Sequence, residues 1–187
     1  MTDAARPWLA SYPPGMPAQI DADAYPSIPA VLEEACRTFA DRPAFTQFGH
    51  TFSYGDIDRL SRDFAAFLTG TLGLRRGDRV ALMMPNVHQY PIALFGVLRA
   101  GLTVVNTNPL YTARELRHQL IDSGARAIVV LENFADTVEK VLPDTKVEKV
   151  ILTTVAELVP GFKGRLVDFV VKHVKRMVPR HGLRDTV

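Results

Sequence analysis

The chain has 187 residues, of which 47% are hydrophobic and 22% charged, a composition typical of a folded globular protein. Its net charge of +2 gives no general case for binding nucleic acid. Cys36 is the only cysteine, which excludes an internal disulfide and favours a reducing, cytoplasmic compartment. The first residues lack the apolar core of a secretory signal, and no stretch approaches the ~20 apolar residues of a membrane span.

Residues 1–26 are predicted to form an extended arm, because their five prolines disfavour a helix. Trp8, Tyr12 and Tyr25 could anchor this arm to its own domain or to a second subunit. We favour the first interpretation, and a homodimer held by the arm remains the alternative.

Ser27 is predicted to begin a helix that runs to about residue 40. Cys36 lies beside the apolar stripe of this helix. No cation is near it in sequence, so we interpret it as a small buried hydrophobic residue rather than a reactive thiol.

Residues 43–53 are typical of a β-hairpin that turns at Gly49-His50. Ser53 and Asp56 then have the spacing of a capping box, which predicts the start of a helix that ends near residue 72.

Four short apolar runs alternate with helical patterns from residue 77 onward. The predicted strands are 80–84, 102–105, 127–131 and 147–153, and the predicted helices between them are 91–100, 112–123 and 133–142, with Asn133 as the cap of the last helix. This β-α-β-α-β-α-β order predicts an α/β domain over residues 27–158, built on an open, mainly parallel sheet flanked by helices.

Ligands of open parallel sheets lie beyond the carboxyl ends of the strands. The loop after the second parallel strand is polar, stiffened by proline and longer than the connection needs. Its candidate ligand-contacting residues are Asn106, Asn108, Pro109 and Tyr111.

No catalytic or metal-binding group can be assigned. The five histidines are scattered without metal-ligand spacing, and no serine lies in a nucleophile elbow. The chain also lacks a Gly-Lys-Ser/Thr phosphate loop and a GxGxxG pattern after a strand.

Residues 159–187 are predicted to form a basic amphipathic helix over about 159–181, followed by a tail. Lys172, Lys175 and Arg176 are the candidate contact residues of this segment. They could bind an anionic membrane surface, or the helix could cover apolar surface on a neighbouring domain. The pattern alone favours the second interpretation.

Four segments resemble the amino-terminal region of the AMP-forming acyl-CoA synthetases, and most closely that of bacterial long-chain fatty acid CoA ligases. They are GDRVALMMPN at 77–86, PIALFGVLRAG at 91–101, VVNTNPLYT at 104–112 and ELRHQLIDSGA at 115–125. The likeness extends from the arm to the basic segment and so covers nearly the whole chain.

This resemblance implies the fold of the amino-terminal subdomain of adenylate-forming ligases. It also implies a parent enzyme that converts a fatty acid, ATP and CoA to acyl-CoA, AMP and pyrophosphate through an acyl-adenylate, with Mg²⁺ assisting. The family's ATP-binding loop and catalytic lysine lie beyond the region present here, so we expect the chain alone to be inactive and to hold no cofactor. The resemblance puts the 106–112 loop on the side where CoA approaches, and it makes peripheral contact with the inner membrane as plausible as an interdomain contact.

Two alternatives to a ligase fragment remain open at this stage. One is a stand-alone CoA- or nucleotide-binding module, and the other is a dimerisation or membrane interaction domain without catalysis.

Overall fold

A computed structural model describes residues 6–183 and 186. The helices are α1 (Ile28–Thr38), α2 (Tyr54–Ala66), α3 (Gln89–Arg99), α4 (Ala113–Ser123), α5 (Ala135–Glu139) and α6 (Gly161–Phe169). The strands are β1 (Pro43–Gln47), β2 (His50–Ser53), β3 (Arg79–Met83), β4 (Thr103–Asn106), β5 (Ala127–Leu131) and β6 (Lys149–Thr153). Short 3₁₀ turns occupy Pro7–Ser11, Glu132–Phe134 and Leu142–Asp144, and wider π-helical turns extend α2 over Phe67–Thr71 and α6 over Val170–Val174.

Four strands form one parallel sheet in the order β4-β3-β5-β6. Val80 of β3 is paired with Val104 on one side and with Ala127 on the other. After β3 the chain adds β4 on one side of β3. It then crosses back and adds β5 on the other side, so the strand order reverses between β3 and β5. The predicted open parallel α/β sheet is confirmed.

Helices cover both faces of this sheet, which explains why its strands are continuously apolar rather than alternating. Val80 and Leu82 pack on the side of α3 and the end of α2, with Val97 among their neighbours. Ala81 and Met83 pack on the opposite side, in a cluster with residues of α4 and α5. Every residue of β5 is buried.

The hairpin and α1 form a smaller layer against α2 and α3, with Ile57 of α2 at its centre. The hairpin turns at Phe48 and Gly49, where φ is 50° and 72°, so the predicted turn at Gly49-His50 is wrong by one residue. A two-residue turn of this kind requires positive φ at both central positions, and His50 instead begins β2.

Three of the predicted helix starts are confirmed. The Ser27 side chain accepts from the backbone N–H of Ala30, and the Ser53–Asp56 capping box is complete. A second complete capping box, between Thr112 and Glu115, begins α4.

Asn133 does not cap a helix, and that prediction is wrong. It lies inside the 3₁₀ turn that follows β5, and α5 begins at Ala135 with no side-chain cap. Its amide nitrogen Nδ2 instead donates to the carbonyl oxygen of Met177 across 3.0 Å. The Asn133 side chain therefore bonds to a distant segment of the chain instead of capping the helix next to it.

The described part of the arm, residues 6–26, does not pack into the domain. Trp8, Tyr12 and Tyr25 remain 53%, 39% and 45% exposed, and none belongs to an apolar cluster of the domain. The favoured interpretation that these aromatic side chains anchor the arm to its own domain is wrong for these residues. The arm also contains a short 3₁₀ turn, in which Leu9 accepts from the N–H of Tyr12.

The predicted helix over 159–181 is shorter than expected, because its helical turns run only from Gly161 to Val174. The α-helix ends at Phe169, a wide turn follows to Val174, and Arg176 has a φ of 51° that ends the helical path. This stretch contains Val170, Val171 and Val174, whose β-branched side chains lower helix propensity. None of the helices in the described part of the chain is long and apolar enough to cross a membrane.

Candidate functional site

The candidate ligand loop leaves the sheet at the carboxyl end of β4, which is an edge strand. Asn106 is the last residue of β4, and its side-chain Oδ1 accepts from the Tyr90 hydroxyl across 2.9 Å. Its backbone carbonyl accepts from Nε2 of Gln119 on α4, also across 2.9 Å. The start of the loop is therefore fixed to both α3 and α4.

The middle of the loop is held by its own hydrogen bonds. Oδ1 of Asn108 accepts from the backbone N–H of Leu110 across 3.0 Å, and its carbonyl accepts from the N–H of Tyr111 across 3.1 Å. Tyr111 is half-buried against the apolar cluster beside α4, whereas Leu110 is 80% exposed. The predicted residues Asn106, Asn108, Pro109 and Tyr111 are thus brought together at one end of the sheet, on a rigid loop.

The capping box between Thr112 and Glu115 fixes the end of the loop to the first turn of α4. Hydrogen bonds from the backbone and side chain of Thr112 lower the pKa of Glu115, because they stabilise its carboxylate. An open surface groove lies beside them on α4, with Arg114 and His118 among its lining residues.

The wide turn after α6 folds back over the carboxyl end of β5. Nζ of Lys172 lies 3.2 Å from Oε2 of Glu132, the first residue after β5. Lys175 and Arg176 remain exposed. Of the three predicted contact cations, one is therefore used in an ion pair within the chain and two face outward.

Asp168 anchors α6 to the segment that follows β6. Its Oδ2 accepts from the Thr154 hydroxyl across 2.7 Å, and its Oδ1 accepts from the backbone N–H of Ala156 across 3.0 Å. A cavity of about 270 Å³ lies next to these contacts, between Glu132 and His173. Sequence reasoning missed this role of Asp168, although it is the only acid among residues 159–181.

Sequence reasoning also missed a second cavity, of about 460 Å³, between the hairpin and the amino-terminal half of α3. His88 lines this cavity and is only 3% exposed. Its backbone N–H donates to Oε1 of Gln47 across 2.8 Å, but neither ring nitrogen has a hydrogen-bond partner in the described structure. Burial lowers the pKa of His88, and the nearby His50 lowers it further, with the Phe45 backbone opposing the shift.

Neither the thiol of Cys36 nor a cluster of metal-binding side chains provides a reactive site in the described residues. Cys36 is buried, and its burial is the main reason that its pKa is raised, which agrees with its interpretation as an inert hydrophobic residue. No group of three or more His, Cys, Asp or Glu side chains within the described residues could hold a metal ion.

The fold and its loops define an open parallel α/β domain of the nucleotide-domain type, with polar loops at the carboxyl ends of its strands. Residues 32–179 match the sequence profile of the AMP-binding enzyme family. Since this match covers most of the chain, the protein belongs to that family.

Curated relatives are similar over almost the whole chain. A long-chain fatty acid CoA ligase from Yersinia pestis is 55% identical over 180 residues, which is 96% of this chain and 32% of the relative. The enzyme of the same name from Haemophilus influenzae is 51% identical over the same shares of the two chains. The chain therefore spans about a third of the length of these relatives.

Solved structures of the same class have a similar fold. A long-chain fatty acid CoA ligase from Archaeoglobus fulgidus superposes with a TM-score of 0.65 at 26% identity, covering 76% of this chain and 30% of that one. A benzoate CoA ligase from Burkholderia xenovorans gives a TM-score of 0.63 at 28% identity, covering 75% and 28%.

Proposed function

We propose that this chain is the amino-terminal scaffold of a long-chain fatty acid CoA ligase. The observation that carries the proposal is the 55% identity to the Yersinia pestis ligase across 96% of the chain. In the proposed overall reaction, a fatty acid carboxylate attacks the α-phosphorus of ATP and releases pyrophosphate. The thiol of CoA then attacks the acyl carbonyl and releases AMP, which leaves a thioester.

No group of three or more His, Cys, Asp or Glu side chains among the described residues could hold a metal ion, and the sequence has no Gly-Lys-Ser/Thr phosphate loop. We therefore assign ATP, Mg²⁺ and the reactive groups to a part of the parent protein outside these 187 residues. The parent enzyme is proposed to act in the cytoplasm.

The experiment is ATP–pyrophosphate exchange with a series of fatty acids, measured on the purified chain and on the full-length parent protein. The parent protein should exchange label in the presence of a long-chain fatty acid, and the chain alone should not. Exchange by the chain alone would show that the reactive groups lie within it. A parent protein without any fatty-acid-dependent exchange would rule out the ligase assignment itself.

The loop that contains Asn106, Asn108, Pro109 and Tyr111 is proposed to lie on the side where CoA approaches. Its support is the loop's position at the carboxyl end of a parallel strand and the hydrogen bonds that hold it rigid. Neither asparagine uses its amide nitrogen in a hydrogen bond with the described residues, so both have donors left for a ligand. Substituting Asn108 by Ala in the parent protein should raise the KM for CoA more than the KM for ATP.

The segment around Lys172, Lys175 and Arg176 is proposed to be a contact surface, either for the membrane or for another part of the parent protein. Phe162, Leu166 and Phe169 of α6 are among the exposed apolar residues, which supports a surface that is covered in the working enzyme.

A further inference from the structure

Residues 170–178, here called the strap, pass over the carboxyl ends of β5 and β6. Ligands of open parallel sheets lie beyond such strand ends. The cavity of about 270 Å³ lies between the strap and these ends. Its lining from the strand ends includes Glu132, Asn133, Thr154 and Val155, and its lining from the strap includes Val171, Lys172 and Val178. The strap therefore controls how open this end of the sheet is.

The segments on either side of the strap are firmly anchored. Before it, both carboxylate oxygens of Asp168 accept hydrogen bonds from the segment after β6, and Gly164 packs so closely on that segment that an added Cβ would overlap its backbone. After it, the N–H of Gly182 donates to Oε2 of Glu139 on α5 across 3.0 Å, and Leu183 packs on the apolar cluster beside α4 and α5.

The strap itself is held much more weakly than its anchors. Each of its nine residues is at least partly exposed to solvent. Two polar contacts join it to the loop after β5: the ion pair of Lys172 with Glu132, at 3.2 Å, and the hydrogen bond from Asn133 to the carbonyl of Met177, at 3.0 Å. The Lys172 side chain is 52% exposed, so water and salt compete with this pair. Segments with few buried contacts open locally at a low cost in free energy.

The closed strap also contains a strained residue. Arg176 has a φ of 51°, in the left-handed region that is unfavourable for residues with a Cβ. It directly precedes Met177, whose carbonyl oxygen accepts from Asn133. The contact that closes the strap therefore holds the strained residue in place, and opening releases this strain.

We propose that the strap is a lid, which opens in its middle while both anchors stay in place and gives access to the cavity at the ends of β5 and β6. The Lys172–Glu132 pair and the Asn133–Met177 hydrogen bond hold it closed, and the strain at Arg176 favours opening. The lid does not depend on the proposed ligase function.

Hydrogen exchange of single amides, followed by NMR on the 187-residue chain, measures this opening. The N–H groups of Lys175 and Met177 donate to carbonyls at the start of the strap across 2.8 and 3.0 Å, so they exchange when the strap opens. The N–H of Ala156, which donates to Asp168, reports on an anchor. We expect protection factors at least about tenfold lower for the two strap amides than for Ala156. Equal protection would overturn the proposal.

Glu132→Gln removes one closing contact and should lower the protection factors of the strap amides about threefold. It should leave that of Ala156 unchanged, because this anchor does not use Glu132. The matched control is Asp136→Asn, which breaks a similar ion pair with Lys140 on neighbouring α5, 3.0 Å long. That variant should leave the strap amides unchanged. The proposal is wrong if the two variants act alike, or if Glu132→Gln loosens the anchor as much as the strap.

Access to the cavity is measured by alkylating the thiol of Val155→Cys with N-ethylmaleimide. The wild-type chain gives the background rate, because its single thiol, Cys36, is buried. Adding Arg176→Gly should slow alkylation about threefold, because glycine adopts positive φ without strain. Adding Arg176→Gln removes the same charge but keeps the strain, and should leave the rate unchanged. Equal rates in all three proteins would overturn the proposal, and the exchange rates of the wild type decide the question if Val155→Cys fails to fold.

Discussion

Arg99 of α3 donates to Asp58 of α2 across 2.6 Å, from Nη2 to Oδ1, although the Arg99 side chain is only 7% exposed. Its Nη1 also lies 3.5 Å from Oε1 of Glu33 on α1. One buried guanidinium thus joins the three helices of the layer that packs beside the sheet. Since α3 also connects β3 to β4, this ion pair helps to fix the crossover that leads to the candidate ligand loop.

Removing the main partner of this guanidinium should be costly. Asp58→Ala leaves a buried cation without its closest acceptor, and we expect the free energy of unfolding to fall by about 2–3 kcal/mol. Urea denaturation measures the loss. Asp63→Ala is the matched control, because Asp63 lies on the same helix, is 69% exposed and is 3.8 Å from its cation. That variant should change stability by less than about 0.5 kcal/mol, and equal losses in the two variants would refute the structural role of the buried pair.

At Gly96, α3 packs tightly against α2. A Cβ added there would lie 2.7 Å from Cδ1 of Phe64 and 3.1 Å from the backbone oxygen of Ser61. We expect Gly96→Ala to lower the free energy of unfolding by about 1–3 kcal/mol, because the gain in helix propensity cannot offset the displaced backbone. Gly70→Ala is the control, since nothing lies within 4 Å of its added Cβ. Thermal unfolding of Gly70→Ala should show no loss, and a similar loss at both positions would contradict the close packing.

The features that could be predicted from sequence are those that local chemistry determines. The run over 127–131 coincides with β5 because five apolar residues bounded by polar ones suit a strand buried on both faces. The Ser53–Asp56 and Thr112–Glu115 capping boxes form as expected because each is complete within four residues. These local signals suffice to give the order of strands and helices.

Distant contacts account for two of the errors. Asn133 has the local signature of a helix cap, but its amide is used by Met177, which lies 44 residues away in sequence. Lys172, in the π-helical turn that extends α6, similarly pairs with Glu132, 40 residues earlier. Neither partner could be identified from the residues next to it.

The position of the candidate ligand loop follows from the sheet, but the cavity beside His88 does not. His88 is buried, and its backbone N–H donates to Gln47, which lies 41 residues away in sequence on a different element. A single histidine before a helix gives no sign of this. The sequence signal available, a histidine between two apolar stretches, is equally typical of an exposed loop residue.

The capping box at the start of α2 should make stability depend on acid. Hydrogen bonds from the backbone and side chain of Ser53 lower the pKa of Asp56 below its ordinary 3.8. A carboxyl group with a lowered folded-state pKa stabilises the protein at pH values above its unfolded pKa, and this contribution is lost as the pH falls through the folded value. Ser53→Ala should therefore lower the free energy of unfolding by about 1 kcal/mol at neutral pH. It should flatten only part of the decline below about pH 4, because the backbone N–H of residue 53 still donates to Asp56.

Ser27→Ala provides the matched control for this prediction. Ser27 caps α1 by accepting from Ala30, but the first turn of α1 contains no acid. Its loss should lower stability to a similar extent while leaving the acid decline as steep as in the wild type. Urea denaturation over a series of pH values measures both variants. If Ser53→Ala retains the full acid dependence of the wild type, the Ser53 hydroxyl does not contribute to the lowered pKa of Asp56.

The last prediction concerns the exposed cations after α6. If Lys175 and Arg176 dock on an anionic membrane surface, the chain should sediment with phosphatidylserine vesicles at low salt and be released at high salt, because shorter screening lengths weaken the attraction. Lys175→Gln combined with Arg176→Gln should cost on the order of 2 kcal/mol of binding free energy. The control combines Arg75→Gln with Arg76→Gln, which removes the same charge at the opposite end of the sheet, just before β3. Equal losses in the two double variants would indicate attraction by net charge alone, and no sedimentation at low salt would favour a contact with another part of the parent protein.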